Sequence, residues 1–430
     1  MRITQPRGQH MRCGSLTVVN HEERFPTRSF LRYWSAVAVS RFGDYITLLA
    51  LQTLVVLTLD GSATQVGLLN SARWLPYLVV GVFVGALVDR RRRRPLLVAT
   101  DLVQTVILGS IPLLWFLDAL TFPVLIVIVV VYGTASVINS AAAMSFLPRL
   151  VPAAYLQRAH ARTDGTDAAA MTAGPALGGL LVSVLGAPVA VLVDACTYFY
   201  SAVLMWRIDV REPPPVGGAT ARQLLREVRE GVSWVYRGSG LATLALSTHG
   251  WFVGNAIVGV VIAPFALDEL GLSPFVFGII GAAGGVGALV GAAITTGIGV
   301  RLGTGRTIVV CRLISTIAVV VMALANTGLA AWIIIVVLSA GQGLYGLALG
   351  MSNSHETSYR QLVTPDRLQA RTNVTMRSIN RGVIVVCAPV AGILADAAGF
   401  RITLAAAAAV FAIVTAGLAA TSFRSVRSPV

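Results

Sequence analysis

The sequence predicts an all-α polytopic membrane protein with twelve transmembrane helices in two pseudo-symmetric six-helix bundles. Three observations carry that expectation. Of 430 residues, 56% are hydrophobic and only 12% charged, about half the charged share of ordinary soluble domains. The apolar residues gather in runs long enough to cross a bilayer as helix, which takes roughly 20 residues. The turn closing the second run, Gly85, Asp89 and the arginines Arg90 to Arg94, recurs 212 residues later as Gly297, Arg301 and Arg306.

Taken in order, the apolar runs are Leu31–Leu57, Gln65–Val88, Pro95–Leu117, Phe122–Phe146, Arg162–Leu185 and Pro188–Trp206. The second half offers Leu241–Leu267, Phe275–Val300, Thr307–Leu324, Leu329–Leu349, Leu368–Ala397 and Arg401–Thr421. Segments after even-numbered spans carry Arg90–Arg94, Arg149 and Arg158, Arg207 to Arg237, Arg301 and Arg306, Arg360 and Arg367, then Arg424 and Arg427. Opposite loops hold Asp60, Asp118, Asp268 and Glu269, with Arg401 as the exception. Short basic loops stay in the cytoplasm. Both termini are therefore expected there, in a multi-pass protein of the cytoplasmic membrane. The net charge of +14 is spread between apolar runs rather than gathered on one face, which speaks against nucleic acid.

The domains expected are a cytoplasmic tail (1–30), a six-helix bundle (31–206), a linker (207–240), a second bundle (241–421) and a short tail (422–430). The first tail lacks the short apolar core of a signal peptide. The linker opens on Pro213–Pro215. Then Leu224, Leu225, Val228, Val232 and Val235 share one helical face against Arg222, Arg226, Arg229 and Glu230. Such a helix lies on a membrane surface or packs on the bundle.

The repeat continues beyond the basic turns. Leu156-Gln157, after Pro152, matches Leu368-Gln369 after Pro365; Gly174 to Leu180 has a weaker mate in Ala388 to Leu394. Two parallel halves with a site between them near the midplane is a transporter plan.

Gly85-x-x-x-Asp89-Arg90 resembles the loop motif between helices two and three of the major facilitator superfamily. Gly174-Pro175-x-x-Gly178-Gly179 resembles the fifth-helix motif of its antiporters. Ser40-Arg41-Phe42-Gly43-Asp44, Leu147 to Pro152 and Gln361 to Pro365 resemble its drug, macrolide and enterobactin-type siderophore efflux branch, the third drug:proton antiporter family. The sequence departs at Arg92, where the loop motif has glycine, and in the fourth span, which has no arginine before Arg149. The resemblance implies the major facilitator fold and a latch between helices two and eleven through Asp89. It also sets helix five against helix eight, where Arg301 is expected to pair with Asp164 or Asp167.

Ionisable residues inside a span are expensive and mark a pathway, a relay or an internal pair. Arg41, Asp44, Arg73, Asp194, His249, Arg377 and Arg381 lie well inside by helical rise. Asp101, Arg312 and Arg360 are shallower and expected to reach the interface by snorkelling. Arg41 and Asp44 either pair with each other or make Asp44 a proton site tuned by Arg41, with Asp194 and His249 as alternates. Arg377, Asn380 and Arg381 lie a turn apart on helix eleven, and two buried cations need internal acids or an anionic cargo. Trp251, Phe252, Asn255, Gln342 and Tyr345 are candidate cavity residues. Glycines four apart on spans five and eight permit close helix approach.

No catalytic triad, metal cluster or phosphate loop emerges. The chain is expected to be no enzyme, to need no cofactor and to act as a monomer. Its expected function is proton-coupled export of amphipathic small molecules by alternating access. The alternatives are an importer or uniporter of a polar nutrient, and a non-transporting membrane receptor.

Overall fold

The structure, a computed structural model, describes residues 25–427 except 80, 82–83, 85–87, 89, 211, 213–220 and 239. Every regular element among the described residues is helical. The first half comprises α1 (Arg28–Thr53), α2 (Ala63–Val79), α3 (Arg93–Phe116), α4 (Phe122–Leu150), α5 (Leu156–Leu185) and α6 (Ala187–Trp206). A linker helix, α7 (Ala221–Ser233), follows. The second half comprises α8 (Ala242–Pro264), α9 (Pro274–Leu302), α10 (Thr304–Ala323), α11 (Ala331–Val363), α12 (Asp366–Ala398) and α13 (Phe400–Ala420).

Ten of these are long and apolar enough to cross a membrane. Of the other two spans, α1 carries Arg28, Arg32, Arg41 and Asp44, and α2 is described over only 17 residues. The helices outrun the apolar stretches at the arginine-rich end. Span ten was expected to stop at Leu349, yet α11 continues to Val363; α5 begins at Leu156 rather than Arg162. Hydropathy marks where lipid ends, and a helix satisfies its own backbone beyond that point.

Three tight junctions turn one span into the next through glycine alone: Gly186, Gly303 and Gly399, with φ of 82°, 82° and 88°. That backbone region is open essentially only to glycine. At the other turns, Thr27 and Ser273 cap α1 and α9 by accepting from Phe30 N and Val276 N.

The packing repeats as the sequence does. α1 packs on α5 and α6, α3 on α4 and α6, and α2 on α4. In the second half α8 packs on α12 and α13, α10 on α11 and α13, and α9 on α11. Between the halves α2 meets α12 and α5 meets α9, and this pair of contacts maps onto itself when the halves exchange.

Both seams are tight at the end away from the arginines. A β-carbon on Gly179 would lie 2.4 Å from the Pro274 carbonyl oxygen, and one on Gly285 2.4 Å from Thr172 Cα. On the other seam, β-carbons on Gly67 and Gly392 would lie 2.4 Å from the carbonyl oxygens of Ala388 and Ala63. Toward the arginine-rich ends of α5 and α9, Gly165 and Gly297 have nothing within 4 Å. At the α5–α9 seam the halves are therefore in contact at one end and apart at the other.

The linker helix packs on α12 rather than standing apart from the bundle. Arg371 on α12 pairs with Glu230 and, at 3.2 Å, with Glu227; Gly231 abuts the Arg371 backbone and Thr375. Residues 213–215 and the side chains of Arg222, Leu224 and Leu225 lie outside the described set.

Candidate functional site

Between the halves lies a cavity of about 600 Å³, lined mainly by the first bundle and closed on one side by Arg377 and Arg381 of α12. Its polar wall is built on α1. Residues three apart on a helix face the same way, so Arg41 reaches Asp44 at 3.2 Å. The same guanidinium also reaches Asp167 on α5 at 3.5 Å. The other Asp44 oxygen accepts from the hydroxyls of Tyr198 (2.5 Å) and Tyr132 (3.1 Å); the two phenol oxygens are 3.1 Å apart, so the single Tyr132 proton goes either to Asp44 or to Tyr198.

Two further carboxylates lie close behind. Asp101, 3% exposed, lines the cavity and accepts from Ser201 at 2.6 Å and Asn139 at 2.7 Å. Asp194 is fully buried; Thr197 donates to its Oδ1 at 2.9 Å, and its Oδ2 has no hydrogen-bond partner. Neither has a cation within 4 Å among the described residues. Gly43 makes this approach possible, since a β-carbon there would lie 2.0 Å from Asp194 Oδ1. Tyr132, Tyr198 and the burial of Asp101 were not legible beforehand. Tyrosines in apolar runs look like packing until a carboxylate is placed beside them.

The other sequence expectations sort clearly. Gly85 and Asp89 lie outside the described residues. Of the basic turn, the backbone amides of Arg93 and Arg94 donate to Glu212 at 2.6 and 2.8 Å, and Arg149 pairs with the same carboxylate at 3.2 Å. The Arg94 guanidinium donates to the Met205 and Trp206 carbonyls; Arg90 is exposed. This ties α3, α4 and α6 together. The expected pairing of Arg301 with Asp164 or Asp167 is not formed. Asp167 is held by Arg41, and Arg301 has no carboxylate within 4 Å among the described residues, because the ends of α5 and α9 stand apart. Gly174 and Gly178 press on Tyr45 and Ile46 of α1, while Pro175 and Gly179 face α9.

Most of the aromatic and amide candidates do not line the cavity. Trp251 stacks on Tyr345 at 5.8 Å with Phe411 beside it and Phe252 edge-on, and the Tyr345 hydroxyl donates to Asn255. Gln342 packs against Gly284 of α9. These residues fill the second bundle's core.

His249 is not a cavity group either. Asn380 Oδ1 can only accept, so His249 Nδ1–H donates to it (2.6 Å), leaving Nε2 to accept from Tyr236 at 2.6 Å. Burial pushes the Tyr236 phenol up from its ordinary value, so it stays a neutral donor. Asn380 is consumed in the same staple, which joins the linker to α8 and α12.

Asp101 and Arg312 do not snorkel. Arg312 is 2% exposed, pairs with Glu356 at 2.7 Å and lies 5.6 Å from the Trp251 ring centroid. A buried ion needs a partner more than it needs water. Glu356 was missed because the helix carrying it was expected to have ended.

Comparison with known proteins fits this architecture. The model of the Major Facilitator Superfamily matches residues 33–384. An uncharacterized MFS-type transporter, y4rN of Sinorhizobium fredii, is 27% identical over 84% of this chain and 86% of its own. Macrolide efflux protein A of Streptococcus pyogenes is 23% identical over 50% of this chain and 53% of its own. The multidrug efflux pump Tap of Mycobacterium tuberculosis is 25% identical over 49% and 52%. The chain thus spans about half the length of these two efflux proteins. Among solved structures, the nucleoside transporter NupG (D323A mutant) matches with a TM-score of 0.71 at 13% identity, over 91% of this chain and 98% of its own. A bacterial homologue of the iron transporter ferroportin, in an inward-facing state, matches at 0.68 and 17%, over 93% and 99%. With twelve spans, twofold packing and a polar cavity between the halves, the chain belongs to the Major Facilitator Superfamily, a family of membrane transporters.

Proposed function

We propose that this transporter exports amphipathic small molecules in exchange for protons, with Asp44 as the group that takes up and releases the proton. The supporting observation is the placement of Asp44. It lies on the cavity wall, shares Arg41 with Asp167, and has two carboxylates behind it, Asp101 and Asp194, neither with a cation within 4 Å among the described residues. Guanidinium cannot lose its own proton. A proton arriving on Asp44 therefore frees Arg41 to turn wholly to Asp167 on α5, the helix that meets the other half. That couples proton binding to a seam.

The direction rests on two supports: relatives named for efflux, over half their length, and the antiporter-like motif of α5, whose Gly174 and Gly178 pack on α1 while Pro175 and Gly179 pack at the α5–α9 seam. By the arginine distribution the open end of the cavity faces the cytoplasm, in a protein of the cytoplasmic membrane with both termini inside. This state would load cargo.

The test is accumulation of a labelled panel, a macrolide and an aryl carboxylate among it, in cells expressing wild type or Asp44→Asn, with and without a protonophore. Wild type should lower accumulation several-fold, and either the protonophore or the substitution should remove the difference. Equal accumulation in all four conditions overturns the proposal.

A further inference from the structure

We infer that the cavity holds an anion-binding subsite formed by Arg73, Arg377 and Arg381 around Trp74, so that the cargo carries a carboxylate, phenolate or similar anion on an apolar aromatic body. The inference rests on the assignment of this cavity to cargo. Four arginines line it, and their circumstances differ. Arg41 is neutralised by Asp44 and Asp167. Among the described residues, Arg73, Arg377 and Arg381 have neither a carboxylate within 4 Å nor a hydrogen bond.

They nonetheless gather in one place. The Arg381 guanidinium lies 3.7 Å and that of Arg73 5.5 Å from the centroid of the same Trp74 ring. Arg377 stands one turn before Arg381 on the same face of α12, and both line the cavity. Like charges held together inside a membrane protein with no carboxylate in contact mark a place where an anion visits.

The acids of the cavity do not cancel this cluster. Asp44 and Asp167 share Arg41, and Asp101 is held by Ser201 and Asn139. Asp164 is exposed near the start of α5, at the mouth. Trp74, which lines the cavity beside these guanidinium groups, supplies apolar surface for an aromatic body. Because Arg73 belongs to one half and the other two to its mate, an anion here bridges the moving parts.

The experiment is equilibrium binding of radiolabelled 1-naphthoate and its neutral analogue 1-naphthamide to the purified full-length protein. Wild type should bind the carboxylate at least about tenfold tighter, the effect of one charge-assisted hydrogen bond. Arg381→Gln and Arg73→Gln should each remove most of that preference while leaving naphthamide unchanged, and Arg381→Lys should keep part of it. Naphthoate binding no tighter than naphthamide in wild type overturns the subsite, whatever the variants do. Proton-driven export failing while the preference persists would overturn the function above and leave the subsite standing.

The α2–α12 seam has a polar contact of its own. The turn Gly392-x-x-x-Asp396 at the end of α12 has the spacing of Gly85-x-x-x-Asp89, and its docking is visible. Asp396 accepts from Ala63 N (2.9 Å), Thr64 N (3.0 Å) and Thr64 Oγ1 (2.5 Å), while Gly392 lets the backbone of α2 approach. The first turn of α2 has no acid of its own, so a carboxylate from the other half satisfies its free amides and positive pole. The geometry points to Asp396 as the latch that holds this end shut. Spin labels at the exposed Leu68 and Val390, in a cysteine-free background, should show a longer-distance population in Asp396→Ala and a smaller one in Thr64→Val. Unchanged distance distributions in both variants overturn the latch.

Discussion

Single atoms decide the proton site. Asp44 gathers two phenols and a guanidinium, and Asp194 behind it reaches α1 only because position 43 has no side chain. Gly43→Ala should therefore force α1 and α6 apart, lowering stability by about 1–3 kcal/mol, as overpacking does. The thermal midpoint in detergent measures this. Gly417→Ala, with nothing within 4 Å, is the control and should be neutral or slightly stabilising. His249 belongs to the opposite category. Its ring is spent between Tyr236 and Asn380, so His249→Gln should lower the thermal midpoint while leaving the pH profile of transport in place. A shifted profile would return His249 to the relay.

Among the helices, polar residues placed by sequence at membrane edges turn out to fasten elements together. Arg312 on α10 and Glu356 on α11 form a pair out of water, assisted by Thr248, which donates to the other Glu356 oxygen at 3.0 Å. Removing one partner strands the other. Glu356→Leu or Arg312→Met should each cost about 3–5 kcal/mol, and the two together should recover much of it. Thermal unfolding of the three variants decides this, and an additive double variant would mean that the pair is not coupled. Glu212 is the comparable clasp in the first half, capping α3 and holding Arg149. Such partners were illegible because they lie in segments that hydropathy assigns to loops or that follow a run's apparent end.

Across the whole molecule, the repeat was the readable part. Apolar runs gave the span borders within a few residues where loops are short, and the Gly85/Gly297 echo announced two halves whose packing does correspond. Pairing was not readable. Asp167 went to Arg41 rather than Arg301 because the two halves stand apart at that end, and a state cannot be read from spacing. Arg377 and Arg381 were foreseen in the cavity, but Arg73 and Trp74 complete their cluster from the other half, a convergence only the fold reveals. Exchange depends on Asp44. The most direct measurement is proton flux in proteoliposomes, followed with a trapped pH dye, when a gradient of the compound most strongly exported in cells is imposed. Wild type should move protons against the compound, and Asp44→Asn should bind the compound yet move none. Equal proton flux in the two proteins would contradict it.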